Sequence, residues 1–360
     1  MYKALFPSSN HTIYELYPDQ NTSVDEILEL WPIKEGTSDI VDGTFNSRIL
    51  IKFDISTIQS LIGQNTFQSF LSLRATDVNN SPTQYSLFAY PLSGSVTTGT
   101  GFFNSNPPFT SGVSWNYKTS KLVGTRWLTG SYNANTTGSL TGGGNWYTNV
   151  VASQSFDNDP PDVRMDVTNI LHTWLSGSIP NDGFILKYKD SDETSLETLG
   201  KLQFFSRYSH TIYIPRLEIF WNDSSLVGTG SFTETSSDDT VLYFKNLKDI
   251  YGQNEVAVLR MATRQFYPTQ TYSTSSNYLI EKRLPVNSFY QIQDVVTSDV
   301  IIPFNELGTR VNCDLNGNFV RLDCSSLMPE RYYKIVVKAI YNDGSVLFFD
   351  NKHEFRITKY

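Results

Sequence analysis

Acidic side chains are grouped in two short stretches, and carboxylate oxygens on a loop can bind calcium. The residues concerned are Asp157, Asp159 and Asp162 in DNDPPD, and Asp190, Asp192, Glu193 and Glu197 in KDSDETSLE. Neither stretch has the calcium-loop spacing with its central glycine and late glutamate. We therefore interpret both as acidic turns and predict no metal site.

Catalytic signatures are missing from the sequence. A glycosidase needs two carboxylates beside the scissile bond, but with 36 Asp and Glu residues such pairs arise by chance. The sequence has no GxSxG, HExxH, P-loop or GxGxxG motif. The histidines, which are His11, His172, His210 and His353, stand in no paired serine or cysteine context. We predict a non-enzymatic protein without cofactor.

Aromatic residues lie beside Gly, Ser, Thr and Asn in the middle of the chain, and exposed aromatic rings stack on sugars. The residues are Trp115, Tyr117, Trp127, Trp146 and Tyr147. Alternatively they anchor loops on a sheet, where burial of one indole contributes on the order of 2–3 kcal/mol. Trp146 follows three glycines, and we take it, with Tyr147 beside it, as the candidate ligand contact.

A protein contact is the third kind of site that the sequence indicates. Tyr, Trp, Phe and Arg are enriched at such contacts. Arg331, Tyr332 and Tyr333 are consecutive at the start of a predicted strand. Successive side chains of a strand point to opposite faces, so one tyrosine should be in the core and the other exposed. We take Arg331 and Tyr332 as candidate contacts.

Charge and hydropathy exclude two classes of partner. Residues 1–225 carry 14 Lys and Arg against 21 Asp and Glu, a net charge of −7, and residues 226–360 carry 14 against 15. The acidic half repels phosphate backbones, so we predict no nucleic-acid partner. No apolar run reaches about 18 residues, and the N-terminus lacks an apolar signal segment, so we expect no membrane partner and synthesis in the cytoplasm.

Alternating apolar and polar residues predict half-buried antiparallel strands. In the first part of the chain they cover 47–56, 69–78, 84–92, 182–190, 201–208 and 214–222. After 240, eight or nine short β-rich runs separated by turns are typical of an immunoglobulin-like sandwich. Asp343-Gly344 predicts a tight hairpin turn within them.

One helix is predicted over 166–177. Its apolar stripe has a spacing of three and four residues and consists of Val167, Ile170, Leu171 and Trp174. Asp166 or Thr168 is the expected cap, and Gly177 stands where a glycine ends a helix. His172 lies off the stripe, so we interpret it as a surface residue.

Changes in composition divide the chain. Segments 93–111 and 129–160 are rich in Gly, Ser, Thr and Asn and are predicted to be long loops, which either decorate the surface or contact a partner. The polar stretch 223–240 is the predicted linker between domains 1–222 and 241–360.

The two cysteines flank a predicted turn at Asn316-Gly317. A hairpin there brings Cys313 and Cys324 nearer to each other, which leaves a disulfide open. Because nothing in the sequence signals secretion, we favour two free cysteines.

Five segments between residues 11 and 221 occur in an order typical of one family. They are SRILIKFDIS; SFLSLRATD with YSLFAYPL; SGVSWNY with GTRW; MDVTNILHTWLSGSIPNDGFILKYKD; and LQFFSRYSHTIYIPRLEIFW. Together they resemble the DNRLRE-type, or disaggregatase-related, β-sandwich, which is similar to carbohydrate-binding modules. The resemblance spans about 60% of the chain and implies that Trp115 and Trp127 are framework anchors. The family's acid after SR is Tyr208 here, so its role does not transfer.

The C-terminal part has a less specific resemblance. VIIPFNELGTRVNCDLNGNFVRLD and LMPERYYKIVVKAIYNDG are similar to β-rich domains of tailed-bacteriophage virion proteins. This implies a protein that assembles into a particle inside the host cell.

The expected fold is all-β with two domains, a jelly-roll-like β-sandwich with one short helix at 1–222 and an immunoglobulin-like β-sandwich at 241–360. The expected function is that of a structural component of a tailed-phage virion, in the neck, tail or capsid. Its partners would be other virion proteins, with several symmetric copies of the chain in each particle. The alternative is a carbohydrate-binding or adhesion module that contacts a host surface glycan, and a polysaccharide hydrolase is the weaker alternative.

Overall fold

The structure, a computed structural model, describes residues 1–37, 40–79, 84–128, 136–139, 142–158, 160–194, 200–226, 232–237, 240–267 and 280–359. β-Strands account for 48% of these residues and helices for 7%, and the strands form several largely antiparallel sheets, so the predicted all-β sandwich class is confirmed.

The strands of the first part of the chain are β1 (Tyr2–Leu5), β2 (Pro7–Tyr14), β3 (Ile27–Leu30), β4 (Ile33–Thr37), β5 (Ile40–Phe45), β6 (Ser47–Phe53), β7 (Phe67–Leu73), β8 (Ala75–Asn79), β9 (Gln84–Pro91), β10 (Thr136–Ser139), β11 (Gly142–Tyr147), β12 (Ala152–Asp157), β13 (Val163–Asp166), β14 (Phe184–Tyr188), β15 (Lys201–Phe205) and β16 (Arg216–Trp221). The later strands are β17 (Thr240–Phe244), β18 (Ile250–Gly252), β19 (Val256–Gln265), β20 (Asn287–Asp294), β21 (Val300–Ile302), β22 (Asn312–Asp314), β23 (Gly317–Asp323), β24 (Arg331–Ile340) and β25 (Val346–Thr358). The α-helices within the described ranges are α1 (Ile58–Ile62), α2 (Thr168–Leu175) and α3 (Asp190–Glu193).

The chain forms two compact units. The N-terminal unit comprises Leu5–Leu61 and Ser69–Glu218, and the C-terminal unit comprises Met1–Ala4, Ile62–Gln68 and Ile219–Tyr360. The predicted linker 223–240 thus falls among the residues of the C-terminal unit, and the domain limits inferred from composition stay predictions.

The N-terminal unit is built on a five-stranded sheet of order β12-β9-β14-β6-β2 and a three-stranded sheet of order β3-β15-β8. The pairs β4-β5 and β10-β11 form small sheets of their own. Alternation works as the sequence predicts: along β9, Tyr85, Leu87 and Ala89 are buried, while the residues between them are half-buried.

The C-terminal unit contains a four-stranded sheet of order β17-β19-β23-β22 and a five-stranded sheet of order β18-β25-β24-β20-β21. The inward residues of β24 are fully buried, among them Tyr333, Ile335 and Val337. The predicted turn at Asp343-Gly344 is confirmed, since it joins β24 to β25 and Gly344 has a positive φ of 84°.

Helix α2 confirms the predicted helix, two residues shorter at each end than predicted. Its buried residues are Ile170, Leu171 and Trp174, His172 is exposed, and Gly177 follows the helix with φ 74°. The predicted cap is wrong: Val167 is the N-cap and makes no side-chain cap bond, while Asp166 accepts a hydrogen bond from the Thr168 N–H at 2.9 Å. Helices α1 and α3 were not predicted because a single turn shows no helical periodicity.

The predicted loop at 129–160 is also corrected, because its described residues include β10, β11 and β12. The glycines of β11 misled the prediction. They serve close packing and not flexibility: a Cβ on Gly143 would lie 2.6 Å from the ring of Trp115. Segment 93–111, in contrast, has no helix or named strand.

The turn between β22 and β23 consists of Leu315 and Asn316, one residue before the predicted Asn316-Gly317, because Gly317 already pairs with Asp314 as the first residue of β23. Cys313 pairs in register with Asn318, and Cys324 lies six residues further along, past the end of β23. At about 3.4 Å per residue the strand carries the second cysteine away from the first. Both thiols are free and buried.

Candidate functional site

Exposed apolar side chains gather on one face of the five-stranded sheet in the C-terminal unit. On β24 this face starts with Tyr332, which is 50% exposed and opposite Arg356 of β25. Further along, Lys338 is opposite Phe348, which is 60% exposed. Since paired residues project from the same side of a sheet, they form one surface. We call it the contact face; its members are Ile250, Tyr332, Lys334, Lys338, Val346, Phe348 and Arg356.

The rings of the contact face lie beside cations. The Lys338 Nζ is 5.9 Å from the Phe348 ring centroid and 5.8 Å from that of Phe304, and the two rings are 6.1 Å apart. The Arg356 guanidinium is 5.6 Å from the Tyr332 ring. These contacts hold exposed rings in fixed positions, so little side-chain entropy is lost when a partner covers them.

The part of this face that lies over β20 is already covered by other residues of the chain. Phe289 of β20 is opposite Lys338 and only 6% exposed, and the Arg310 guanidinium lies 5.7 Å from its ring. The accessible part of the face is therefore the β24–β25 side, continued by Ile250 of β18, which pairs with Arg356.

Arg331 does not belong to this surface. Its Nε donates a hydrogen bond of 2.7 Å to Asp294, whose side chain is fully buried. Burial raises the pKa of Asp294, but the bonds from Arg331 and from the Thr297 and Val296 N–H groups outweigh it and hold that pKa below its usual value. Arg331 thus has a structural partner, whereas Tyr332 is exposed and Tyr333 buried, as strand alternation predicts.

Three tryptophans of the N-terminal unit that the sequence singled out are buried. Trp115, Trp127 and Trp146 are 1%, 3% and 5% exposed and share a core cluster with Leu50 and Ile185 of the five-stranded sheet. The interpretation of Trp115 and Trp127 as anchors is confirmed. The candidate ligand role of Trp146 depended on an exposed loop, but the residue lies in β11 and its ring is not available for stacking on a sugar. Tyr147 next to it is half-buried.

A buried ionic network completes this tryptophan cluster. Arg48 lies 4.9 Å from the Trp115 ring centroid and 5.1 Å from that of Trp146. It donates two hydrogen bonds to Glu193, at 3.0 and 2.7 Å. The Lys187 Nζ lies 2.8 Å from the same carboxylate and 4.8 Å from the Trp146 ring. Sequence reasoning missed Arg48 and Lys187, because in a strand pattern they read as outward polar positions.

Those carboxylates considered for calcium that the structure describes have partners within the protein. Glu193 is bound by Arg48 and Lys187, Asp190 pairs with Lys187, and Asp162 pairs with Arg74 at 2.8 Å. Asp159 and Glu197 lie outside the described residues. Across the described ranges, no group of three or more His, Cys, Asp or Glu is placed to hold a metal ion.

The contact face combines exposed aromatic rings with paired charges, and this composition suits recognition of another surface. In the part of the chain that the structure describes, no helix is long and apolar enough to cross a membrane. Comparison with known proteins finds no family model and no curated protein that matches the chain.

Proposed function

We propose that this chain is a non-enzymatic structural component of a tailed-phage virion, and that the contact face binds another virion protein. The observation that supports it best is the pair of exposed rings, Tyr332 at 50% and Phe348 at 60%, fixed on a sheet by neighbouring cations. Large aromatic side chains at the centre of an interface account for much of its binding energy.

The composition of the face favours a protein over other partners. Its charges are mixed: Lys334 pairs with Asp350 at 2.8 Å, and Arg356 pairs with Glu330. Such a surface has no strong field of one sign to attract a polyanion. Apolar rings surrounded by paired charges match the usual anatomy of a protein interface, with a hydrophobic centre and a polar rim.

The test replaces both rings by threonine, which keeps strand propensity. A phage lacking this chain is complemented with the wild type or with the Tyr332→Thr, Phe348→Thr double variant, and copies per purified particle are measured by quantitative mass spectrometry. We expect occupancy to fall at least about tenfold at limiting expression, because two hot-spot side chains are lost.

Tyr243→Thr is the matched control, since Tyr243 is 40% exposed on β17 in the other sheet of the same unit. It should enter particles as the wild type does. Full occupancy of a correctly folded double variant would refute the contact face as the docking surface.

A further inference from the structure

Lys338 is an isolated cation in the apolar part of the contact face. The residues in register with it are Phe348 of β25 and Phe289 of β20. On its own strand, the next residues that project from the same face are Val336 and Ile340. The Lys338 side chain therefore has apolar neighbours on all four sides.

The charge of Lys338 is not offset, in contrast to those of the other two cations of the contact face. Lys334 pairs with Asp350 at 2.8 Å, and Arg356 pairs with Glu330. The Lys338 Nζ has no acidic partner and no hydrogen-bond acceptor within the described ranges. It lies instead beside two phenyl rings, 5.8 and 5.9 Å from their centroids.

A second cation without an acidic partner lies beside Phe289. The Arg310 guanidinium is 5.7 Å from the Phe289 ring, and an isolated β-bridge joins the two residues. The Arg310 Nε is buried and bonds to no acceptor in the part of the chain that the structure describes. Lys338 and Arg310 thus place two uncompensated positive charges next to one ring.

A partner that covers this part of the contact face removes water from the Lys338 ammonium. An ammonium that loses its water without gaining an anion costs free energy, whereas a carboxylate opposite it offsets that cost. The neighbouring rings exclude water from such a pair and so strengthen the attraction. Favourable binding at this point therefore requires an acidic group on the surface of the partner.

The surroundings of Lys338 favour a carboxylate of a protein over other anions. A nucleic acid is bound by several cations along its backbone, but the remaining cations of the contact face are paired within the chain. Phe348 is 60% exposed, so apolar groups of the partner must cover it as well. A second copy of the chain that docked through the same face would bring like charges together.

We propose that Lys338 selects a virion protein that presents an aspartate or glutamate, which forms an ion pair with the ammonium beside the two phenyl rings. The proposal rests on the proposed docking of the contact face and names the chemistry of its partner. The occupant is a surface with one acidic side chain surrounded by apolar groups. Arg310 contributes positive potential at the same end of the face.

Carbodiimide cross-linking of purified particles identifies such an acid directly, because this reagent joins an amine to a carboxylate only where the two are in contact. We expect an amide between Lys338 and an Asp or Glu of another virion protein. Lys334 is the internal reference and should link to Asp350 of its own chain.

Particle entry tests the contribution of the charge. Lys338→Met keeps the length of the side chain and removes the ammonium, and Lys338→Arg keeps a cation. At limiting expression, we expect Lys338→Met to lower the copies per particle at least about tenfold, because the partner's carboxylate is left unpaired, and Lys338→Arg to stay within about threefold of the wild type. Lys334→Met is the matched control on the same strand and should also stay within about threefold, since Asp350 already pairs with Lys334 at the surface. Equal midpoints of urea unfolding verify that all three variants fold.

Wild-type occupancy of Lys338→Met would overturn the proposal, and so would Lys338 links only to acids of this chain or of a second copy. Loss of entry by Lys338→Met without any carbodiimide link would assign the ammonium to a phosphate or a carbonyl and contradict the proposal too. Failure of virion docking gives a different result, because the Tyr332→Thr, Phe348→Thr variant would then enter particles normally as well. If that variant fails to enter while Lys338→Met enters normally, the contact face is the docking surface and the ion pair is refuted.

Discussion

Arg48 is at the centre of a buried ionic network in the N-terminal unit. Its guanidinium lies beside two indole rings, binds Glu193 with two hydrogen bonds, and donates a further bond of 2.7 Å to the Gly143 carbonyl. Every donor of a buried guanidinium needs an acceptor, because an unpaired buried charge is costly. One helical turn, α3, supplies the carboxylate, which explains why so short a helix is kept in place.

Glu193→Gln tests this network. The substitution leaves Arg48 and Lys187 without their shared anion and should lower the free energy of unfolding by about 3 kcal/mol. Asp192→Asn on the same helical turn is the control and should change it by less than about 0.5 kcal/mol. Denaturant unfolding measures both, and equal effects of the two substitutions would contradict the assigned role of Glu193.

His11 predicts a pH dependence of stability. It is buried in β2, with its Nδ1 2.7 Å from the Ser23 hydroxyl, and burial, with the charge of Arg207, lowers its pKa to about 3. The unfolded chain binds this proton near pH 6.5 and the folded chain does not, so stability is full above that pH and falls as the pH drops toward 3. At pH 5 the loss should be about 2 kcal/mol.

The measurement is urea unfolding of the wild type and of His11→Asn between pH 8 and pH 4. Carboxylates contribute acid destabilisation to both proteins, so the difference between the two slopes isolates the histidine. A wild-type slope no steeper than that of His11→Asn would disprove the assignment.

At the scale of elements, period-two alternation located strands with one buried face, such as β7, β9 and β15. Apolar, β-branched runs located β6 and β14, which are buried along most of their length. Strands with neither signal escaped. The burial pattern of β2 is almost continuous, and β11 consists largely of glycines. Alternation also predicted that Tyr332 and Tyr333 lie on opposite faces of the sheet. It did not reveal the contact face, because Ile250 and Phe348 belong to strands that are distant in sequence from Tyr332 and are brought beside it only by strand pairing.

Strand β11 yields a prediction of its own. Gly143→Ala would place a Cβ 2.6 Å from the Trp115 ring at a φ of +80° and should destabilise the unit by roughly 3 kcal/mol. Gly124→Ala meets no atom within 4 Å at a φ of +76°, so it incurs only the backbone strain, about 1 kcal/mol. Thermal unfolding compares the two, and the same loss in both would contradict close packing of β11 on Trp115.

At the scale of the whole molecule, the proposed function depends on one surface, the contact face of the C-terminal unit, where exposed aromatic rings lie beside paired charges. The net charge of the chain is −8, and it disfavours non-specific adsorption to nucleic acids and other polyanions.

Cross-linking mass spectrometry of purified particles tests the central claim, since it reports both presence and orientation. Lys334 and Lys338 lie on the contact face and are suitable for amine-reactive cross-linkers. We predict that the chain is present in several copies per particle and that these two lysines cross-link to another virion protein. Absence of the chain from particles, or links from Lys334 and Lys338 only to residues of the same chain, would contradict it.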